Sequence, residues 1–321
     1  MKTKRLFLAC VSVAVPLLAG ACSRDCDRGC LIALMDQYLD AVVRNDPSLV
    51  PLADSVVFVE NTEKLSVGEG LWQRASGGAT DFKIYVADPV EGQVGFMGIL
   101  LEGDTPVMLG ARLKTAAGEI TEIDHLVVYR LGEAGLPNLQ TPRPGLIRSL
   151  DPSERVSREA MLTAANSYYD AIVQDDGTVA PFAADCVRRE NGVPSANAEL
   201  TRVADPTTGE APEPDDFAVF RRMTCSAQLS TNVMAYITDI NQRRLLAVDQ
   251  EMGLVFAYSM FVHSGEPAVM EIRGVPGITE RVNAWGPFNL PAAHIFKIRN
   301  GLIHEIEAMG YVAPYGTTNG W

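Results

Sequence analysis

The chain has 321 residues, of which 47% are hydrophobic and 21% charged, and its formal net charge at pH 7 is −13. This length and apolar fraction are enough for two ordinary hydrophobic cores. The acidic balance, without a basic stripe interleaved with aromatic residues, excludes a nucleic-acid-binding protein.

The first residues have the three-part pattern of an export signal. Basic residues precede an apolar run over 6–18, which is followed by Ala19, Gly20, Ala21 and Cys22. Such a run is too short to span a membrane and is typical of a signal that is removed. Removal of residues 1–21 takes away three positive charges and no negative ones, so the net charge changes from −13 to −16.

Two cleavage routes are open at this site. Ala-Gly-Ala suits an ordinary signal peptidase, whereas residues 18–22 resemble a bacterial lipobox, which favours lipidation of Cys22. Either route predicts a bacterial protein exported to the periplasm, free or anchored to the membrane by lipid. If Cys10 leaves with the signal and Cys22 is acylated, four cysteines remain in an oxidising compartment, an even set with three open pairings. Of these we favour Cys26–Cys30 with Cys186–Cys225.

The chain contains one segment twice. Residues 38–61 align without a gap on residues 168–191 with ten of 24 positions identical, and residues 111–124 align on 294–307. Polar and apolar positions recur together at constant offset, which indicates a duplicated domain. The second copy is longer, through Pro- and Gly-rich segments over 192–224 and 264–293 that we expect to be surface insertions.

The predicted elements follow the same order in both copies. An amphipathic helix opens each copy, a β-branched run follows, and several strands close it. The predicted helices cover 31–44 and 158–173, and the best strands cover 56–59, 94–101, 107–114, 120–128, 254–262, 294–299 and 302–309. This order predicts an α+β fold in which a curved antiparallel sheet wraps around helices and encloses a pocket.

Four prolines and no regular period over 131–157 indicate a linker between the copies. The predicted domains are therefore 22–130 and 158–321, with the insertions in the second.

The repeat resembles the NTF2-like superfamily, which includes SnoaL and ketosteroid isomerase. The resemblance lies in a helix with Y-x-D-A, an N-D or D-D turn, a strand ending in Glu-Asn, and a closing G-x-I-x-E-I. The ending PYGTTNGW further resembles an exported, largely uncharacterised branch of that superfamily. The resemblance implies two tandem cones that pack as an internal pseudo-dimer.

The same resemblance implies a site. Ketosteroid isomerase uses a carboxylate after the A-D-x-x motif as general base and a helix tyrosine as hydrogen-bond donor. Its pattern places Glu60 and Glu190 as bases and Tyr38 and Tyr168 as donors, and its third donor falls near His294 in the second copy. Glu and His stand where that enzyme has Asp, so steroid isomerisation does not carry over. A carboxylate in an apolar cone would have a raised pKa suited to proton transfer.

Other residues are weaker candidates for substrate binding. Arg188 could bind an anionic or phenolate oxygen, or form a surface ion pair. Trp72 and Trp285 lie in predicted loops, where they could cover a pocket or plug it. His263 and Asn191 complete the set of candidates. Structural roles are the alternative, because a Glu-Asn pair can tie a turn to a sheet, and a buried Tyr or His is commonly a core residue with its hydrogen bonds satisfied. No two histidines have ligand spacing, so no metal is expected.

The resemblance implies a cofactor-independent enzyme, and the function that we favour from it is a lyase that uses acid–base catalysis on a hydrophobic phenolic molecule. γ-Formaldehyde lyases of the same superfamily act on lignin-derived aromatic dimers and release formaldehyde. The alternatives are a non-catalytic lipoprotein that binds a hydrophobic ligand or acts as a scaffold, and an isomerase or dehydratase. The expected partner is a small hydrophobic or aromatic molecule, with a homodimer left open and no cofactor required.

Overall fold

The computed structural model describes residues 26–199 and 217–321. In the N-terminal half, helix α1 precedes two strands, a short helix α2 and four long strands. The bounds are α1 Arg28–Arg44, β1 Leu52–Glu60, β2 Glu63–Leu65, α2 Leu71–Arg74, β3 Lys83–Asp88, β4 Gln93–Glu102, β5 Thr105–Ala116 and β6 Glu119–Val128. The export signal and Cys22 lie outside the described residues.

The C-terminal half repeats this order with additions. Its bounds are α3 Pro144–Ile147, α4 Arg158–Val173, β7 Phe182–Glu190, β8 Val193–Ala196, α5 Ala218–Arg221, α6 Cys225–Leu229, β9 Asp239–Asp249, β10 Leu254–His263, β11 Val269–Glu271, β12 Glu280–Val282, β13 Phe288–Arg299 and β14 Leu302–Gly310. The predicted helices and strands are therefore present. The strands β11 and β12 form a separate hairpin within the second insertion.

Each opening helix begins at a side-chain cap. Asp27 accepts a hydrogen bond from the backbone N–H of Cys30, and Ser157 does the same for Ala160. These caps satisfy backbone donors that have no partner inside the helix. Helix α1 ends where Asn45 adopts a left-handed conformation.

The two halves build separate sheets of the same order. The first is β2-β1-β6-β5-β4-β3 and the second is β8-β7-β14-β13-β10-β9. Most neighbours are antiparallel as expected, but β1 with β6 and β7 with β14 are parallel. A parallel pair needs a long connection, and the strands between its members supply it here. Each sheet packs its inner face on its opening helix.

The outer faces of the two sheets pack against each other. Phe82, Met97 and Leu126 of the first sheet share one apolar cluster with Phe256 and Ile295 of the second. Gly95 allows close approach, because a Cβ there would lie 2.5 Å from Cγ of Phe256. Polar contacts add to this interface. They include Arg244 with Asp124 at 2.6 Å, Arg158 with Asp88 at 2.6 Å and Arg28 with Asp249 at 2.8 Å.

The segment over 131–157 packs on the second half, since Leu139, Leu146 and Leu150 are buried. Both predicted disulfides, Cys26–Cys30 and Cys186–Cys225, are present. The second ties the first insertion to β7. In the described part of the chain, no helix has the length and apolar character needed to cross a membrane.

Candidate active site

A cavity of about 120 Å³ lies between α4 and the concave face of the second sheet. Tyr168 and Ile172 reach it from one face of α4, because they are one helical turn apart. Arg188 and Glu190 reach it from β7, where alternate residues point to the same side of a sheet. His294 reaches it from β13. The structure thus brings the predicted Tyr168, Glu190 and His294 to one cavity.

One row of paired residues across three strands explains why this cavity is open. In the second sheet Glu190 pairs with Ala308, which pairs with His294. In the first sheet the corresponding row is Glu60, His125 and Ala111. Histidine and alanine have exchanged strands between the copies. The small residue therefore lies between Glu190 and His294, whose backbones are two strand spacings, about 10 Å, apart.

The corresponding space in the N-terminal half is filled. His125 stands next to Glu60, and its Nδ1 lies 3.0 Å from a Glu60 carboxylate oxygen. Its Nε2 lies 2.8 Å from the Tyr38 hydroxyl. Trp72, on α2 and not in a loop, is fully buried and packs edge-on against Tyr38. Tyr38, His125 and Trp72 thus fill the first cone, and Trp72 acts as its plug.

Glu60 is buried in this network. Burial raises its pKa, but hydrogen bonds and charge from His125, the Leu71 N–H and the Tyr129 hydroxyl together lower it below its ordinary value. A carboxylate so well hydrogen-bonded is a poor proton acceptor.

Glu190 differs from the sequence-based expectation of a carboxylate inside an apolar cone. It is the last residue of β7, next to the edge strand β8, and its side chain is 52% exposed at the cavity mouth. Its carboxylate lies 3.2 Å from Nε of Arg188. The group is therefore hydrated and ion-paired, yet it still borders the cavity.

Arg188 is a buried cation, with only 1% of its side chain exposed. Its guanidinium donates to Oγ of Ser195 at 3.0 Å and to Oε1 of Gln228 at 2.6 Å. Gln228 is itself held, because its Nε2 donates to the carbonyls of Ser195 and Phe220. Burial lowers the pKa of Arg188, but the nearby Tyr168 and Glu190 raise it above its ordinary value. The guanidinium is charged and fixed in place.

The inner polar groups are neutral. Burial, with the charge of Arg188, lowers the pKa of His294 to about 3. Its Nδ1 lies 3.2 Å from the hydroxyl of Tyr169. Burial raises the pKa of Tyr168 to about 12, although the adjacent guanidinium of Arg188 opposes this. Tyr168 is thus a protonated hydrogen-bond donor beside a cation.

An aromatic stack leads away from the cavity wall. His263 lines the cavity and stacks between Tyr236, at 5.5 Å, and Phe288, at 3.8 Å. Burial lowers the pKa of His263 to about 4. Trp285, 58% exposed, contacts Phe288 edge-on and is not part of the cavity wall.

Asn191 lines the cavity, but its amide serves the backbone. It donates to the carbonyl of Gly310 and accepts from the Gly310 N–H, as Asn61 does with Val127 in the first half. The repeated Glu-Asn pair therefore uses its asparagine to tie the strand end to the sheet.

Sequence reasoning missed several residues of the site. Tyr169 aligns with Leu39, and Ser195, Gln228 and Tyr236 lie in or next to the first insertion, so the repeat gave no signal for them. The alignment of the two copies did contain one signal for the open cavity. The aligned block 111–124 on 294–307, extended by one residue, places His125 on Ala308 and shows the exchange. Within the described ranges, no group of three or more His, Cys, Asp or Glu side chains could hold a metal ion.

Comparison with known proteins gives one family match. A family model described as a domain of unknown function, DUF8021, matches residues 154–310, slightly less than half of the chain. The search of curated proteins found no match to the chain.

Several solved structures are similar to about half of the chain, among them the following three. Two are described as "putative polyketide cyclase", from Silicibacter sp. TM1040 (14% identity, 49% of this chain, 92% of that chain, TM-score 0.27) and from Xanthomonas campestris pv. campestris (15%, 47%, 90%, 0.28). The third is AclR, described as "a putative hydroxylase", from Streptomyces galilaeus (10%, 49%, 83%, 0.27).

Proposed function

We propose that the chain is an exported, cofactor-independent enzyme built from two NTF2-like cones packed as an internal pseudo-dimer, and that the C-terminal cavity moves a proton on a small ring compound. The observation that carries this proposal is the row in which Ala308 separates Glu190 from His294. It leaves a gap between a carboxylate and a neutral imidazole, with a charged guanidinium and a phenol beside it.

Each group has a role in proton transfer. The Glu190 carboxylate takes a proton from a carbon next to a carbonyl, or from a hydroxyl, and the electron pair moves toward an oxygen of the substrate. The Tyr168 hydroxyl donates a hydrogen bond to that oxygen as negative charge develops, and the positive charge of the nearby Arg188 favours this charge, which stabilises the transition state. Return of the proton to another atom completes an isomerisation, whereas departure of a leaving group completes an elimination.

Formaldehyde release is the particular elimination that we favour. Glu190 would take the hydroxyl proton of a hydroxymethyl group on the substrate. The bond between the hydroxymethyl carbon and the neighbouring substrate carbon breaks, and the C–O bond of the hydroxymethyl group becomes the carbonyl of formaldehyde. The C–C electron pair forms a double bond as an oxygen leaving group departs from the next carbon and takes up the proton. No electron acceptor is needed, because the substrate supplies both groups.

The size of the cavity limits the substrate. About 120 Å³ is close to the roughly 150 Å³ of a protein cavity that holds benzene. One aromatic ring fits inside, and a second ring of a dimeric substrate would lie outside the mouth, where Glu190 is exposed.

Export is part of the proposal. The signal pattern over 1–21 and two disulfides fit a protein that works in an oxidising compartment. Lipidation at Cys22 would anchor it to a membrane, and labelling with a radioactive fatty acid in cells tests this directly.

Exchange of substrate hydrogen for solvent deuterium tests the acid–base role. Aryl ketones are incubated with the protein in D₂O and deuterium uptake at carbon is followed by NMR. In parallel, formaldehyde is assayed with aryl compounds in which the carbon that carries a hydroxymethyl group is next to a carbon with an aryloxy leaving group. We expect Glu190→Gln to lower the rate by about a hundredfold or more, as for a lost general base. The matched control is Glu102→Gln, which removes a carboxylate paired with Arg74 in the other half and should leave the rate unchanged.

A non-catalytic ligand-binding protein is the second candidate. The half-exposed Glu190, paired with Arg188, is the observation that favours it, because the ion pair holds the carboxylate at the mouth and not inside the cavity. Equal exchange rates in the wild type and in Glu190→Gln, with ligand binding retained, would support this candidate and refute the enzyme.

A further inference from the structure

We infer that the ligand of the C-terminal cavity is a small aromatic carboxylate whose negative group is bound by Arg188. This inference rests on the proposed use of the cavity as the ligand site and adds the charge of the compound that enters it. It makes Arg188 a specificity-determining residue.

The first copy shows that this fold accommodates an apolar residue at the position of Arg188. Position 188 aligns with Phe58 in the first copy, where an apolar ring is buried in the same fold. Removal of a guanidinium from water costs free energy that is only partly recovered by hydrogen bonds. A cation that replaces an apolar core residue at a cavity wall is therefore explained better by a ligand than by stability.

The neighbours of Arg188 hold it without cancelling its charge. Ser195 and Gln228 accept its hydrogen bonds as neutral groups. Glu190 is the carboxylate in contact with it among the described residues of the cavity wall, and that side chain is 52% exposed. A half-exposed carboxylate can turn toward water at little cost.

The rest of the cavity wall favours one ring and one anion. Burial keeps His294 and His263 neutral, because their pKa values fall to about 3 and about 4. Phe261, Met234 and Ile237 add apolar surface for a ring. Arg188 and the Tyr168 hydroxyl beside it supply a positive charge and hydrogen-bond donors, which suit a carboxylate.

The ligand carboxylate would take the place of Glu190 on the guanidinium. Glu190 is then released from its ion pair at the cavity mouth, next to the bound ring. An anionic ligand thus frees the group that the proposed function uses as a base.

The test measures binding of benzoate and of its neutral isostere benzamide by calorimetry, at low and moderate salt. In the wild type we expect benzoate to bind about tenfold to a hundredfold more tightly than benzamide, the range that a charge-assisted hydrogen bond contributes. Arg188→Met should remove this preference while benzamide affinity changes by less than about threefold. Glu190→Gln should tighten benzoate binding severalfold, because the competing carboxylate is gone.

Equal affinity for the two compounds in the wild type, failure of benzoate to bind at millimolar concentration, or a preference that persists in Arg188→Met would each overturn the inference. Should Arg188→Met fail to fold, the wild-type preference and the effect of Glu190→Gln still decide it. Binding is measured without turnover, so absent exchange activity refutes the acid–base role alone, and an absent charge preference refutes this inference alone.

Discussion

Substitution of Ala308 by leucine tests whether the open cavity lowers the free energy of unfolding and whether it is needed for ligand binding. Ala308 lines the cavity and lies between Glu190 and His294. A leucine there would project its added carbons into the empty space. We expect Ala308→Leu to raise the free energy of unfolding and to abolish ligand binding.

The expected gain follows from the volume. Leucine adds three carbons, each worth about 0.8 kcal/mol when buried, so the upper limit is about 2.4 kcal/mol. A cavity of about 120 Å³, at roughly 24 cal/mol per Å³, costs about 3 kcal/mol in all, which is consistent with that limit. Imperfect fit lowers the gain to about 1–2 kcal/mol. At about 2–4 °C per kcal/mol, Tm should rise by roughly 2–8 °C.

The matched control is Ala111→Leu in the N-terminal half. Ala111 is fully buried opposite His125, where Tyr38 and Trp72 leave no such space. The same change should therefore destabilise by about 1–3 kcal/mol through overpacking. Thermal unfolding measures both variants, and calorimetry with benzoate measures binding. A loss of stability in Ala308→Leu with binding unchanged would refute the assignment of an open, ligand-sized cavity to the second half.

Two further predictions concern acid and the disulfides. His294 has a folded pKa of about 3 against an ordinary value of 6.5, so the unfolded chain binds the proton first and this residue lowers stability as pH falls from about 6.5 to about 3. Urea unfolding over this range should show a weaker pH dependence in His294→Gln, and an unchanged slope would contradict a neutral buried imidazole. Replacement of Cys186 and Cys225 by alanine removes a disulfide between residues 39 apart and should lower the free energy of unfolding by about 4 kcal/mol. The same replacement of Cys26 and Cys30, which are four residues apart, should lower it by about 2 kcal/mol. Equal shifts in the unfolding midpoints of the two double variants would contradict this order.

The residues alone predict the duplication, the opening helices, the long strands and an even number of cysteines available to pair, but they leave three pairings open. These features depend on local periodicity, on a constant offset between the copies, or on parity of the cysteines. The helix predicted over 158–173 coincides with α4, and the run over 254–262 lies within β10. Tyr168, Glu190 and His294 could be placed at one site because aligned positions occupy corresponding places in repeated folds.

Only the tertiary structure decided which cone is open. In the first half the histidine lies on β6, next to the glutamate, and its side chain fills the space there. In the second half it lies on β13, one strand further away, and the space beside the glutamate stays open. Burial of Arg188 likewise depends on Ser195 of β8 and Gln228 of α6, whose side chains reach it from elements later in the chain than β7. Packing inside a cone depends on side chains that meet across strands far apart in the chain, and periodicity along one segment does not contain those contacts.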